Sequence, residues 1–371
     1  MIILKKSKVF MLVSIILIFL ISFIGTKGEV VENLDIPSAI GNDIQKNGSD
    51  ITYLVPVLIH SIESGNKVVS YVIPSHGSTI GKTREERQLI SGKKFLLGLN
   101  RVFLFSEETS RNGIKNIIDI NLNNPSLNDR SVCVVCKGKS ENILKHKVQG
   151  YSSSAEYIYG MVKNLGDFNF LSSQCTIMDV IVRIDAEGRN TILPYIEIME
   201  DGIKTTGLAI FNKDKMVART NMKEAKIISL LKEDKVKGIV TLQQNSKKYT
   251  DFYATSKRKV KCYKENGKYN FIINLDLKGT VIDNELYNNM YKDLKETKEF
   301  EQSMESSVKE MCDNTINKIK SQYKVDVLDL GRVAAAKYGR ETGTDWNKVI
   351  SNSNIQVNVK VNVDSQGRGD Y

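Results

Sequence analysis

The sequence predicts an α+β protein: a multi-domain, mixed α/β chain with antiparallel or mixed sheets and a long helix in its C-terminal half, behind an N-terminal membrane signal or anchor segment. Three observations carry this. β-rich runs bounded by turn residues recur in both halves. Runs with apolar residues three and four apart lie between them. The chain then closes on strict alternation at Ile355, Val357, Val359, Val361 and Val363, one face of a strand.

The first element is a run of sixteen largely apolar residues, Val9 to Ile24, behind Lys5, Lys6 and Lys8. A positive start and a short apolar stretch read as an export signal, and the retained charge fixes the cytoplasmic end. Phe23 and Ile24 spoil the nearest cleavage registers around Ser22 and Gly25, and Thr26-Lys27-Gly28 is a weak alternative. The reading is a signal or signal-anchor segment over residues 1–26, more simply an uncleaved helix, although sixteen residues fall just short of the roughly 17–25 that span a bilayer.

In the N-terminal half, Ile51 to Ile59 and Lys67 to Ile73 read as a hairpin across Ser61–Asn66. Thr83 to Leu97 reads as helix, Arg101 to Phe105 as a buried strand, Ser110 to Leu122 as helix, and Ser131 to Cys136 as a strand. Ser153 with Glu156 forms a capping box ahead of Tyr157, Met161 and Leu165. Thr176 to Arg183 and Thr191 to Ile196 read as strands. All five prolines precede residue 195, which places a boundary near residue 200, with Glu197–Gly202 as linker or hairpin. The domains expected are therefore an N-terminal region over 29–200, of one or two subdomains, and a C-terminal region over 201–371.

In that second region, Leu208 to Phe211 and Met216 to Ala218 flank the polar turn Asn212–Lys215, and Met222 to Leu231 looks helical. Strands follow at Ile239 to Gln243, Val260 to Tyr263 and Tyr269 to Leu277, the last entered through Asn266-Gly267, a strong hairpin signal. A long helix is expected from about Asn284 to Tyr323, with a stripe from Leu286 through Phe300, Met304, Val308, Cys312 and Ile316. Residues from Asp364 onward look frayed.

Composition narrows the function. The 371 residues are 41% hydrophobic and 26% charged with a formal charge of +10, but carboxylates interrupt blocks such as Lys257-Arg258-Lys259. No aromatic-interleaved basic stripe suits single-stranded nucleic acid, so an anionic membrane surface is the more natural counterpart. The odd count of five cysteines is not a disulfide framework. Cys133 and Cys136 form a CxxC inside a strand, where residues three apart face opposite sides, so both read as structural thiols.

Candidate chemistry is thin. Gly77-Ser-Thr-Ile-Gly-Lys-Thr83 resembles a phosphate-binding loop but has three residues, not four, between its glycines. It reads as a Gly-rich cap for the following helix. His60, His76 and His146 share no metal-ligand spacing. Glu85-Glu86 and Glu107-Glu108 read as solvated pairs, and Trp346 as a buried aromatic near the chain end. No catalytic residue, metal ligand or cofactor site is assigned. The residues alone describe an exported, tethered binding or scaffolding protein, not an enzyme.

The order of features resembles the Ger(x)C family of spore germination proteins. The carrying segments are Glu32-Asn-Leu-Asp35, Ala39-Ile-Gly-Asn-Asp43, Gly77-Ser-Thr-Ile80, Arg101–Glu108 with Ser110–Ile114, Asn124-Pro125, Leu193-Pro194, and Gly207–Phe211 with Asp214–Val217. Nearest to the family is the end: Ser321–Gly331, Trp346-Asn-Lys348 and the closing Val-x-Val-x-Val. The resemblance implies a non-enzymatic C subunit of a nutrient germinant receptor on the outer face of the inner spore membrane, assembled with A and B subunits and binding no nucleic acid. The alternative is a free-standing extracytoplasmic ligand-binding protein of the envelope. In two respects the chain departs from the family: Lys27 stands where the family carries a Trp, and Thr26 where it carries a lipidated Cys, so no lipidation residue is assigned and a retained helix replaces the acyl anchor.

Overall fold

The computed structural model describes residues 2–23, 33–63, 67–96, 98–126, 128–287, 290 and 293–366. Gly25, Thr26 and Glu32, residues 64–66 of the expected hairpin turn, Leu97 and residues 367–371 of the expected frayed end lie outside them, while residues 364–366 of that end are strand instead.

Helix α1 (Ile2–Phe23) holds the apolar run. Its described side chains, Met11 to Ser22, are exposed apart from a half-buried Ser14. Among the residues with described side chains, no helix is long and apolar enough to cross a membrane.

Strand β1 (Leu34–Asn47) lies inside the first sheet, where no strand was expected. Pro37 and Gly41 argue against a central strand, and Asp35, Ser38, Asn42 and Asp43 are buried, so the usual alternation is missing. A register shift between Pro37 and Ala39 absorbs the proline. At Gly41 a Cβ would stand 2.4 Å from Ser140 Oγ. Strands β2 (Asp50–Leu54), β3 (Val57–Glu63), β4 (Lys67–Ile73) and β5 (His76–Gly77) follow, with β3 and β4 antiparallel as expected.

Helix α2 (Ile80–Ile90) starts three residues before Thr83, because Thr79 caps it by accepting from Lys82 N. It stops at Ser91, well short of Leu97, and Lys94–Phe95 forms β6, parallel to β1. Strand β7 (Val102–Ser106) leads into α3 (Glu107–Asn112) and α4 (Lys115–Leu122). The single helix expected over 110–122 is broken at Gly113, whose φ of +127° no helix accommodates. Strand β8 (Val132–Cys136) is followed by α5 (Ser140–Lys145) and α6 (Ser154–Asn164). Ser153 caps α6, but Glu156 turns to Ser152 Oγ at 2.5 Å, so the box is half-formed.

The expected strand Thr176–Arg183 is instead helix α7 (Ile177–Ile184). β-branched residues disguise it, yet Thr176 and Asp179 close a reciprocal capping box, and Ile177, Val180 and Ile184 are buried at helical spacing. Strands β9 (Ile192–Met199), β10 (Gly202–Asn212) and β11 (Lys215–Arg219) complete the first sheet. β1, β7, β8 and β9 run parallel at its centre. Every residue of β7 and β8 is buried, as parallel strands covered on both faces require. Residues 197–202 form the β9–β10 hairpin, so this sheet continues past residue 200.

Helix α8 (Met222–Lys232) leads to the second sheet: β12 (Lys237–Asn245), β13 (Lys248–Glu265) and β14 (Lys268–Asn284). Asn266 and Gly267 both have positive φ, the I′ geometry that matches strand twist. β14 runs to Asn284, so the long helix α9 (Leu294–Lys318) begins ten residues later than expected, capped by Asp293. Leu294 is exposed, but Phe300, Met304, Val308, Cys312 and Ile316 are buried. A π-turn over Ile319–Tyr323 ends it. Two helices absent from the expectation follow, α10 (Leu330–Tyr338) and α11 (Trp346–Asn352). Strand β15 (Asn354–Gln366) then pairs parallel with β14, and α9 through α11 supply the crossover a parallel pair needs. Val357 and Val361 are buried in the same core as the α9 stripe. A second core, around β7, β8 and β9, serves the N-terminal half.

Candidate functional site

The segment of the chain nearest to the family pattern, Tyr323–Gly331 with Trp346-Asn347, forms a seam against the loop that joins α7 to β9. Asp326 is fully buried. Its carboxylate accepts from Leu328 N at 3.1 Å, Leu330 N at 3.2 Å and Gly331 N at 2.6 Å, which fixes the start of α10. Burial pushes its carboxyl up to about 7, against the pull of those amides. Asp326 N donates to Asn347 Oδ1 at 2.9 Å, and Asn190 Nδ2 from the facing loop donates to the same oxygen at 2.8 Å. Asn190 Nδ2 also reaches Asp326 O at 3.1 Å.

Backbone contact is equally close. Arg332 N donates to Gly188 O at 3.0 Å. Gly188 has φ +65°, and a Cβ on it would meet Arg332 N at 2.4 Å. A Cβ on Gly331 would meet Trp346 Cβ at 2.7 Å. Trp346 is buried, as expected, and its Nε1 donates to Glu187 Oε1 at 2.9 Å. Beside these contacts, Arg183 from α7 pairs with Asp329 at 3.0 Å, and Lys232 lies 3.6 Å from the same carboxylate. Arg258 turns inward and donates to Leu231 O and Leu328 O. The arrangement clasps the two halves together and leaves an open polar cleft of about 1010 Å³ along it. Such a buried hydrogen-bonded network rigidifies the elements it joins.

The candidates for chemistry are scattered. Gly77–Thr83 caps α2 through Thr79. His76 pairs with Glu86 at 2.8 Å on the surface, so that carboxylate is engaged while Glu85 is exposed. His60 Nδ1 lies 3.0 Å from Ser70 Oγ, but that hydroxyl donates to Ser152 O, which is not the geometry of an activated nucleophile. Burial lowers the His60 pKa. His146 is the residue that ends α5. All five cysteines are buried thiols without disulfides, and burial raises Cys133 and Cys136 well above the usual thiol range. Among the described residues no group of three or more His, Cys, Asp or Glu could hold a metal.

Glu107 differs from the solvated pair expected. Its Oε2 accepts from Tyr195 Oη at 2.5 Å and its Oε1 from Arg111 Nη2 at 2.7 Å. Burial works to raise this carboxyl, and those hydrogen bonds outweigh it, so the pKa falls. Arg219 lies over the Tyr195 ring at 5.3 Å and pairs with Glu197, which also binds Lys137 at 2.8 Å. This cluster gathers on the carboxyl ends of β7 and β8. Its members come from four separate segments, α3, the end of β8, β9 and β11, and no local spacing joins these segments.

Two family models cover this architecture. One, described as the N-terminal domain of spore germination protein, matches residues 27–198, and the other, described as spore germination B3/GerAC like, C-terminal, matches 206–367. They meet at the β9–β10 hairpin. The chain belongs to the Ger(x)C family of spore germination proteins. It is similar to spore germination protein GerQC of Bacillus cereus, 22% identical over 370 residues, which cover 98% of this chain and 99% of that protein. The crystal structure of the GerBC protein shares the fold, with a TM-score of 0.57 at 15% identity over 88% of this chain and 98% of that one.

Proposed function

We propose that this chain is the non-enzymatic C subunit of a nutrient germinant receptor, held at the outer face of the inner spore membrane and acting through contacts with A and B subunits. The observation that carries the reading is the ordered match of both family regions along one chain, whose most family-like residues form the seam between the halves. The Bacillus cereus relative is named for spore germination, as are both family models.

Tethering is assigned to α1. Its apolar part, Val9 to Phe23, reaches about 22 Å at 1.5 Å per residue, short of the roughly 30 Å of hydrocarbon, so the lysine-bearing first turns and the residues after Phe23 have to supply the rest of the anchor. Sharing a bilayer raises the effective concentration of the body beside membrane partners. Spores of a strain lacking the gene are expected to lose the response to at least one class of nutrient germinant. Normal germination with every nutrient and bile-type germinant contradicts the assignment.

A further inference from the structure

Between α2 and the first sheet lies a cavity of about 180 Å³, several times the room one water needs. Ile40, Val57 and Phe103 give it apolar walls, and the buried amides of Asn42, Asn100 and Asn121 give it polar points. Two of its lining residues, Arg84 and Arg87, are cations, and none is a carboxylate. Arg84 is exposed and donates to Asn121 Oδ1 at 3.3 Å.

Arg87 is the anomaly. It is only 9% exposed, yet it forms no ion pair among the described residues. Its Nη2 donates to Ser75 Oγ at 2.8 Å and Val55 O at 3.3 Å, both neutral acceptors, while its Nε is buried with no hydrogen-bond partner among the described residues. The Phe95 ring 5.8 Å away adds a cation–π contact and no counter-charge. Burial lowers its pKa to about 10, which leaves it charged at neutral pH. A buried, unpaired guanidinium with an orphan N–H is strongly unfavourable unless something anionic meets it. Apolar walls with a few convergent polar groups are also the common form of a small-molecule site.

We propose that this cavity binds a small organic carboxylate, its anionic oxygens on Arg87 and its short apolar body against Ile40, Val57 and Phe103. The site goes beyond the receptor assignment and stands independently of it, because every group involved belongs to this chain. Arg87 reads the charge, and the side-chain carbonyl oxygens of Asn42 and Asn100, whose Nδ2 groups already donate to Leu104 O and Ser131 Oγ, offer acceptors for further hydroxyl or amino groups.

The test uses the full chain in detergent micelles, melted with Trp346 emission as readout and probed by saturation-transfer NMR. The probes are sodium butyrate and its neutral isostere butyramide, against sodium chloride at matched ionic strength. Butyrate is expected to raise the melting temperature and to show saturation transfer, and butyramide to do neither. Arg87→Gln should abolish the butyrate response. Should that variant not fold, Gln88→Phe at the exposed mouth obstructs entry while leaving the Arg87 contacts and the single tryptophan in place, and it should abolish the response too. Equal behaviour of butyrate and butyramide on the wild type overturns the proposal. So does a folded variant that answers butyrate as the wild type does.

Discussion

Trp346 Nε1 donates to Glu187 Oε1 at 2.9 Å, and this bond joins α11 to the loop between α7 and β9 across the seam of the molecule. Glu187 also accepts from Glu341 N, and the two donors together hold its carboxyl below the usual range. The only tryptophan of the chain therefore reports directly on whether the two halves are clasped. Trp346→Ala is expected to destabilise the protein by about 3–5 kcal/mol, the usual range for truncating a buried aromatic. Urea unfolding followed by far-UV circular dichroism measures it. In the wild type, loss of the native Trp346 emission should coincide with or precede the far-UV transition.

Asp326 sets a pH dependence of unusual sign. Its carboxyl is raised from 3.8 to about 7, so between those values the folded state holds a proton that the unfolded state has released. Its contribution to stability is fully present at acid pH and is lost as pH rises through about 7. Asp326→Asn keeps the shape and removes the titration. The wild type should therefore lose ground to this variant as pH rises from about 4 to 7, in paired urea titrations. A difference in stability that is flat across that window contradicts the burial argument.

The seam glycines cannot carry side chains. Gly188→Ala combines a positive φ with a Cβ 2.4 Å from Arg332 N, and Gly331→Ala presses on Trp346 Cβ at 2.7 Å. Backbone strain alone accounts for roughly 1–3 kcal/mol at Gly188. Each substitution should lower the thermal midpoint and red-shift Trp346 emission. Gly150→Ala, with open space around its Cβ position and a comparable φ of +82°, should change stability through strain alone and leave the emission unmoved.

Tyr195→Phe tests the strand-end cluster. It removes the 2.5 Å bond to Glu107, a hydrogen bond to a charged group of the kind that contributes about 1.5–3 kcal/mol. Glu107 titrates below its ordinary value, so the stabilisation is present above the usual carboxylate range and is lost as pH falls through the folded pKa. The gap between wild type and variant should be full at neutral pH and shrink in acid, as read by paired denaturation curves.

Much of the fold was legible because local pattern and tertiary role agree. The β13–β14 turn at Asn266-Gly267, the fully apolar β8 and the alternating valines of β15 each state their environment in adjacent residues. β1 does not, because Pro37, Gly41 and four buried polar residues make sense only against Ser140 and the neighbouring strands. α7 is masked in the sequence because its β-branched residues read as strand and its cap at Thr176 closes only in the folded helix. The seam was visible only as a family-like string. Why Asp326, Gly331, Trp346 and Asn347 belong together depends on Asn190 and Gly188, more than 130 residues away, and no spacing rule reaches that far.

The central claim is membership of a receptor complex through this chain's own surface. The most direct measurement is affinity capture of the full chain from detergent-solubilised inner membranes of native spores after chemical cross-linking, followed by mass spectrometry. The account predicts co-recovery of an A-type and a transporter-like B-type germination subunit, with cross-links to the body of this chain. Recovery of the chain alone, at cross-linking sufficient to trap its own intramolecular seam, would contradict it.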